Sequence, residues 1–394
     1  MIDAPGSWST GPFTLVEGYS SLDNEIAIIN SEPFAATWMP TREDRTPRLR
    51  LAANTNYWDT ARGPRLAEAI FRNDISYEDA LELVCTTEGE VDIVTNVRPD
   101  DAGRVEGADY AKLVAIDALR AVVGIINRDA PDFPLNDKRA RQALNICVER
   151  ERIVDEGLFG RAQPLAGLTP PSAVTFIHRL SPYAHDAATA VKLWREANEE
   201  MMRSRGAIDD ELSRPPRSPR PLRIATTGEL ERIAQLVASS LRETIGFDVE
   251  VTLHSDAEKL QLLRHLAEKK SPPEWDIFLY AWSGQAADAP PLGLHRAFVG
   301  WDGELRAGQV VPEFDEMYQE LKHETNAIRQ SQISYQIDKF VYEEALALFL
   351  CAPQALYAVN KEVDFTAYRT TFELAECSVS SKHWSRIGDG ATST

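Results

Sequence analysis

The sequence predicts an α/β fold with parallel strands, and three stretches carry that expectation. Residues 221–255, PLRIATTGELERIAQLVASSLRETIGFDVEVTLHS, read as strand, helix and strand, with Gly246 placed to end the helix. A helix between two such strands implies parallel pairing through a right-handed crossover. Residues 256–282, DAEKLQLLRHLAEKKSPPEWDIFLYAW, repeat the helix–strand alternation. Residues 112–127, KLVAIDALRAVVGIIN, are rich in β-branched side chains and read as one or two buried central strands. In such open sheets ligands sit at the C-terminal ends of the strands.

The remaining elements follow in order. Alternation across Phe13 and Leu15, then Ile26 and Ile28, predicts two paired strands. RLRLAAN at 48–54 and Ala67–Phe71 are short strands. In 76–94, Ala80, Leu81 and Val84 share one face of a helix that Gly89 would close, and Val91–Val94 is a buried strand. Asp137 precedes a helix written through to Phe159, with Ala140, Ala143, Leu144, Cys147, Ile153 and Val154 as its apolar stripe. Arg139, Arg141 and Arg150 could form a phosphate patch, but interleaved Glu149, Glu151 and Asp155 favour a solvated, ion-paired face. A polar helix spans 186–203, and the Pro/Arg-rich stretch 213–221 reads as a linker. Two helices (312–326 and 327–347), a strand from Leu348 and a disordered tail over 388–394 end the chain.

Composition narrows the function classes. A net charge of −19 repels nucleic-acid phosphates and anionic membrane surfaces. No apolar run approaches the ~18 residues of a membrane span. Cys85, Cys147, Cys351 and Cys377 lie in apolar contexts without zinc-ligand spacing and read as buried thiols. No GxSxG, P-loop, HExxH or GxGxxG motif occurs. His178 and His185, or His254 and His265, are too far apart to share a helical face, so no metal site is expected. Asp100–Asp101 and Asp209–Asp210 read as turn or capping residues, so no catalytic pair, cofactor or enzymatic activity is expected. Tyr280, Trp282 and Trp301 flank the Gly/Pro loop after a strand; they are either core aromatics or the stacking wall of a ligand site.

Five segments in register resemble the extracellular solute-binding proteins of the peptide/nickel/oligopeptide ABC-transporter family. These are STGPFTLVEGY, AANTNYWDTARGPRLAEAIFR, ALELVCTTEGEVDIV, the stretch 119–171 and WDIFLYAWSGQAADAPPLGLHRAF. Within 119–171 the resemblance rests on Asn127, Pro134, Asp137, Arg139, Arg141, Ala143, Leu144, Arg150 and Ile153. It implies a periplasmic-binding-protein-like α/β fold of type II, two lobes with mixed and parallel sheets joined by hinge strands. Residues 1–120 with a return of 356–390 would form the first lobe, incomplete because the chain starts inside it; 121–355 would form the second. The strand before Asn127 would cross the hinge, placing Asn127 and Arg128 near the cleft mouth.

The resemblance also implies the function: holding a peptide-like or other small polar solute by hinge closure for ABC permease subunits, as a monomer that meets the membrane only through the permease. The implied ligand residues are Trp282, Ser283, Gln285, Asp288, Glu231, Asn127 and Tyr368. Oligopeptide binders carry an aspartate three residues after the cleft tryptophan, where this chain has Gln285. That removes a charge-assisted bond to a ligand amine worth ~1.5–3 kcal/mol, unless Asp288 compensates. The family implies a periplasmic or extracellular place; the start MIDAPGSWSTGPFTL shows no signal peptide, so a genuine start would mean the cytoplasm. The alternatives are a cytosolic ligand-sensing module, against which no helix-turn-helix segment precedes Ser9, and a non-functional fragment.

Overall fold

The computed structural model describes residues 10–18, 46–173, 180–205, 220–269, 272–283, 291–368 and 372–387. The expected strand at Ile26–Ile28, most of the linker 213–221, the tail, Gln285, Asp288, His178 and the Asp209–Asp210 pair lie outside them. The chain divides into two compact units, 1–116 with 355–394 and 117–354.

The first unit opens with an antiparallel sheet of β1 (Phe13–Glu17), β2 (Arg48–Ala53) and β3 (Glu68–Arg72), in that order. Helix α1 (Tyr77–Thr86) starts where Ser76 accepts a hydrogen bond from the Asp79 amide, and it ends at Thr87, two residues before the expected Gly89. β4 (Ile93–Thr95) and β5 (Ala111–Asp117) follow. Leu81, Val84 and Cys85 of α1 pack with Val94, Ala111, Leu356 and Ala358 into this unit's core.

The second unit is one sheet covered on both faces. Its elements are β6 (Arg120–Ile126), α2 (Lys138–Cys147), β7 (Ala162–Pro164), α3 (Ala187–Ser204), β8 (Leu222–Thr227), α4 (Glu231–Ile245), β9 (Val249–His254), α5 (Asp256–Glu268), β10 (Ile277–Ser283), α6 (Pro312–His323), α7 (Ala327–Glu343) and the first half of β11 (Leu348–Asn360). The strand order is β11–β6–β10–β8–β9, with β7 also on β11. β8–β9 and β8–β10 are parallel, as the βαβ reading requires, whereas β6 is antiparallel to β10 and β11. Past Gln354, β11 re-enters the first unit, where it pairs with β4 and β5.

Period-two alternation decides the packing. Val122 and Ile126 of β6, with Ile277 and Leu279 of β10, face a core built from α2, α3 and α4. Ala121, Val123 and Ile125, with Phe278, face a second core under α5, α6 and α7. Gly124 sits where strands crowd: a Cβ there would lie 2.9 Å from Ile277 Cγ2 and 3.0 Å from Leu348 Cβ. All four cysteines are free and buried, and burial pushes the Cys147 and Cys351 thiols up to about 12.

The helix expected over 138–159 is broken. Asp137 caps α2 as expected, but Val148 leaves the helical region (φ −80°, ψ 125°) and the chain restarts as short turns at 150–157. The arginines also depart from the solvated face expected of them. Only Arg139 pairs outward, with Asp137; Arg141 and Arg150 are 5% and 4% exposed. Arg141 donates to the carbonyls of Leu135 (3.2 Å), Asn136 (2.8 Å) and Glu344 (3.1 and 2.8 Å). Arg150 Nη1 donates to the carbonyls of Asn145, Val148 and Tyr183, so a cation from the next turn satisfies the end of α2. Asn145 ties α2 to β11, donating to Ala347 O at 2.9 Å and accepting from Phe349 N at 3.1 Å.

Candidate functional site

The C-terminal ends of β8 and β10 meet the start of β6 at one edge of the second unit's sheet. The β10–β6 register pairs Trp282 with Ala121 and Ser283 with Arg120. β8 runs alongside, with Phe278 level with Ala225 and the Thr226 hydroxyl donating to Leu279 O at 3.3 Å. After Thr227 a short turn, Gly228–Leu230, packs against β10 and leads into α4. No side chain caps the start of α4; its first amide, that of Glu231, donates to Gly228 O, and Glu229 and Glu231 stand in the turns where the helix begins.

Three expected ligand residues therefore share this edge. Trp282 is half-buried: with Phe278 and Tyr280 it lies on the α5–α7 face and packs against that core, so core packing and a ligand-facing ring coexist. Ser283 is exposed at the strand's last position, and Glu231 is exposed as the first residue of α4. Lys259 Nζ sits 5.4 Å from the Tyr280 ring centroid, adding a cation–π contact beside them. Burial pushes the Tyr280 phenol up, and Glu304 adds to that. Trp301, the third member of the aromatic set, is 58% exposed and held by its amide on Asp315 Oδ1.

Asn127 lies elsewhere. It follows the far end of β6, level with Asp276, while Trp282 faces Ala121. Six residue steps at about 3.4 Å put roughly 20 Å between those ends. Both ends of its side-chain amide are engaged: Nδ2 donates to Trp275 O at 3.1 Å and Oδ1 accepts from the Asp129 amide at 3.2 Å. Asn127 and Arg128 thus stand at the opposite end of the strands from Trp282, because β6 runs antiparallel to β10. Tyr368 belongs to the first unit, where its hydroxyl donates to Glu376 Oε2 at 2.5 Å.

Several polar groups that the sequence did not single out are built deeply into the second unit. Asp276, 1% exposed, accepts from Arg220 Nη1 at 2.7 Å, Arg220 Nη2 at 2.8 Å and the Arg223 amide at 2.9 Å. His295 Nε2 lies 2.8 Å from Asp338 Oδ1, which also accepts from the Thr169 hydroxyl at 3.1 Å. Among the described residues, no three acidic, histidine or cysteine side chains are grouped to hold a metal. No helix among them is long and apolar enough to cross a membrane.

Comparison with known proteins places this architecture. Residues 18–297 match the model of the bacterial extracellular solute-binding proteins, family 5. The chain belongs to this family. Its curated relatives include "Probable di/tripeptide-binding protein 5" of Pseudomonas aeruginosa, 24% identical over 353 residues covering 86% of this chain and 59% of that protein. The dipeptide-binding protein of Escherichia coli is 20% identical over 318 residues, covering 80% and 55%. The chain thus spans somewhat more than half the length of these family members. Solved structures with the same fold include the ABC transporter substrate-binding protein CtaP from Listeria monocytogenes, with TM-score 0.69, 17% identity and coverage of 94% and 66%. NikA from Brucella suis, in complex with Fe(III)-EDTA, gives TM-score 0.68 at 15% identity, covering 94% and 68%. The fold is that of the type II periplasmic binding proteins.

Proposed function

We propose that the chain is the solute-binding component of an ABC importer, holding a peptide-like or other small polar solute for permease subunits outside the cytoplasmic membrane. The carrying observation is the family match across residues 18–297, a family of extracellular solute binders. Relatives whose names specify di- and tripeptides support the ligand class. The edge formed by Trp282, Ser283 and Glu231 supports the place: an aromatic ring offers contact area at low entropy cost, while a hydroxyl and a carboxylate offer hydrogen bonds. Gln285, Asp288 and Tyr368 complete the proposed set, with closure hinging where the chain passes between its units at Ile116–Asp117 and Gln354–Ala355. The binder acts as a monomer and needs no catalytic group.

Native mass spectrometry of the purified chain, joined to a thermal-shift screen of dipeptides, tripeptides and opine-like compounds, tests the reading. A bound species and a ligand-dependent rise in Tm are expected. Neither appearing overturns it. Trp282→Ala should abolish the ligand-induced rise, while the unliganded fold loses about 1–2 kcal/mol for a half-buried aromatic.

A further inference from the structure

A cavity of about 280 Å³ opens at the edge of the second unit remote from Trp282, with Arg128, Asn136, Arg141, Val311, Phe340 and Leu346 in its wall. Arg128 is its unusual member. The residue is 9% exposed, and the fold is shaped around it. Its amide donates to Ala307 O at 3.2 Å. Gly308, at φ +113°, passes so near that a Cβ there would lie 2.7 Å from Arg128 Cβ. Yet among the described residues its guanidinium finds no carboxylate or carbonyl: burial and the neighbouring Arg141 and Arg306 hold its pKa down to about 10, with Asp129 alone opposing them and no hydrogen bond contributing. At neutral pH it is still charged. Buried charges are ordinarily paired, and Arg141 beside it spends its donors on three carbonyls.

The acidic residues of the wall do not supply the missing partner. Glu344 is taken by Lys138 Nζ at 2.8 Å, and its other oxygen lies 3.8 Å from Arg141. Asp129 and Glu313 are exposed at the rim, where they oppose entry of a multiply charged anion. Asn136 and Gln309 add neutral polar groups to the wall, and Val310, Val311, Phe340 and Leu346 form its apolar part. The volume lies just under the ~300 Å³ at which pockets for larger ligands begin.

We propose that this cavity binds a small organic monocarboxylate, its carboxylate held by the Arg128 guanidinium and its compact apolar body against Val311, Phe340 and Leu346. A planar guanidinium meets a carboxylate through two parallel hydrogen bonds, the arrangement these free donors suit. The site is separate from the edge carrying Trp282, so a chain that bound no peptide could still hold this ligand.

Isothermal titration of the purified chain with sodium 3-methylbutanoate, sodium benzoate, inorganic phosphate and neutral 3-methylbutanamide decides the matter. Saturable one-site binding of a carboxylate is expected, at least tenfold tighter than the amide or phosphate. Arg128→Gln should weaken it at least tenfold without lowering the melting temperature, because an uncompensated buried charge has been removed. Val310→Trp, on the exposed rim, should block the cavity in a fully folded chain. The proposal is overturned if no carboxylate binds saturably, if binding survives Arg128→Gln, or if phosphate binds more tightly than both carboxylates. A lower melting temperature for Arg128→Gln would overturn it as well, by making Arg128 a structural residue.

Discussion

Arg141 and Arg128 border the same cavity and are buried to nearly the same degree, yet the fold treats them in opposite ways. Arg141 is surrounded by acceptors: the carbonyls of Leu135, Asn136 and Glu344 take its hydrogen bonds, and it joins the approach to α2 to the end of α7. Arg128 is surrounded by a backbone that makes room for it, and among the described residues nothing accepts from its guanidinium. Burial alone therefore says little about what a cation is for; the destination of its donors says more. A buried arginine whose donors end on carbonyls is part of the scaffold. One whose donors end in a cavity is poised for something that is not the protein.

The sharpest way to break this contrast is to remove a partner from the fully paired class. Asp276 takes two bonds from Arg220 and one from the Arg223 amide, all within 2.9 Å. Asp276→Ala should cost about 3–5 kcal/mol in a urea unfolding midpoint, since it strands a guanidinium and a β8 amide together. A loss below about 1 kcal/mol would mean that Asp132, 2.7 Å from Arg220 Nε, holds that arginine unaided.

Arg141→Met comes next. The substitution keeps most of the side-chain volume and leaves the three carbonyls without their donor, so a loss of about 2–3 kcal/mol is expected by the same measurement. Arg141→Met matching the near-zero effect expected of Arg128→Gln would erase the distinction between the two arginines.

The contrast also shows what could be read from the chain directly. Strand parity was legible: the β-branched run before Asn127 and the βαβ unit from Leu222 to His254 do build the central sheet. A helix start was legible where one side chain marks it, as at Asp137. The break at Val148 was not, because nothing local in ALNICVERERIV disfavours a helix. It comes from Arg150, whose guanidinium reaches back to the carbonyls of Asn145 and Val148 and forward to Tyr183. Of the candidate site, Trp282, Ser283 and Glu231 came from the family resemblance, and the strands bring these three residues to one edge. That Asn127 lies at the other end of the strands from Trp282 was not legible, because the direction of β6 relative to β10 is a tertiary fact. Arg128 carries no sequence signal, since its isolation depends on Gly308, far along the chain.

The smallest effect is the most local. Lys269 donates to the carbonyls of Gly303 (3.0 Å) and Arg306 (2.7 Å). Burial, then Arg306, and more weakly Arg128, hold its amine down to about 8, against partial compensation by Glu304. Its folded-state pKa is thus below the ordinary 10.5 of the unfolded chain. Charging it opposes folding, so this group's contribution to stability is lowest below about 8 and rises as pH climbs from about 8 toward 10.5. In ¹³C NMR of the reductively methylated chain, one dimethyl-lysine resonance should titrate near 8 and be absent in Lys269→Arg. Arg306→Gln should move that midpoint upward, and Arg128→Gln should move it upward by less. A midpoint indifferent to Arg128→Gln would mean that the charge on Arg128 is already neutralised within the protein, which would return Arg128 to the same class as Arg141.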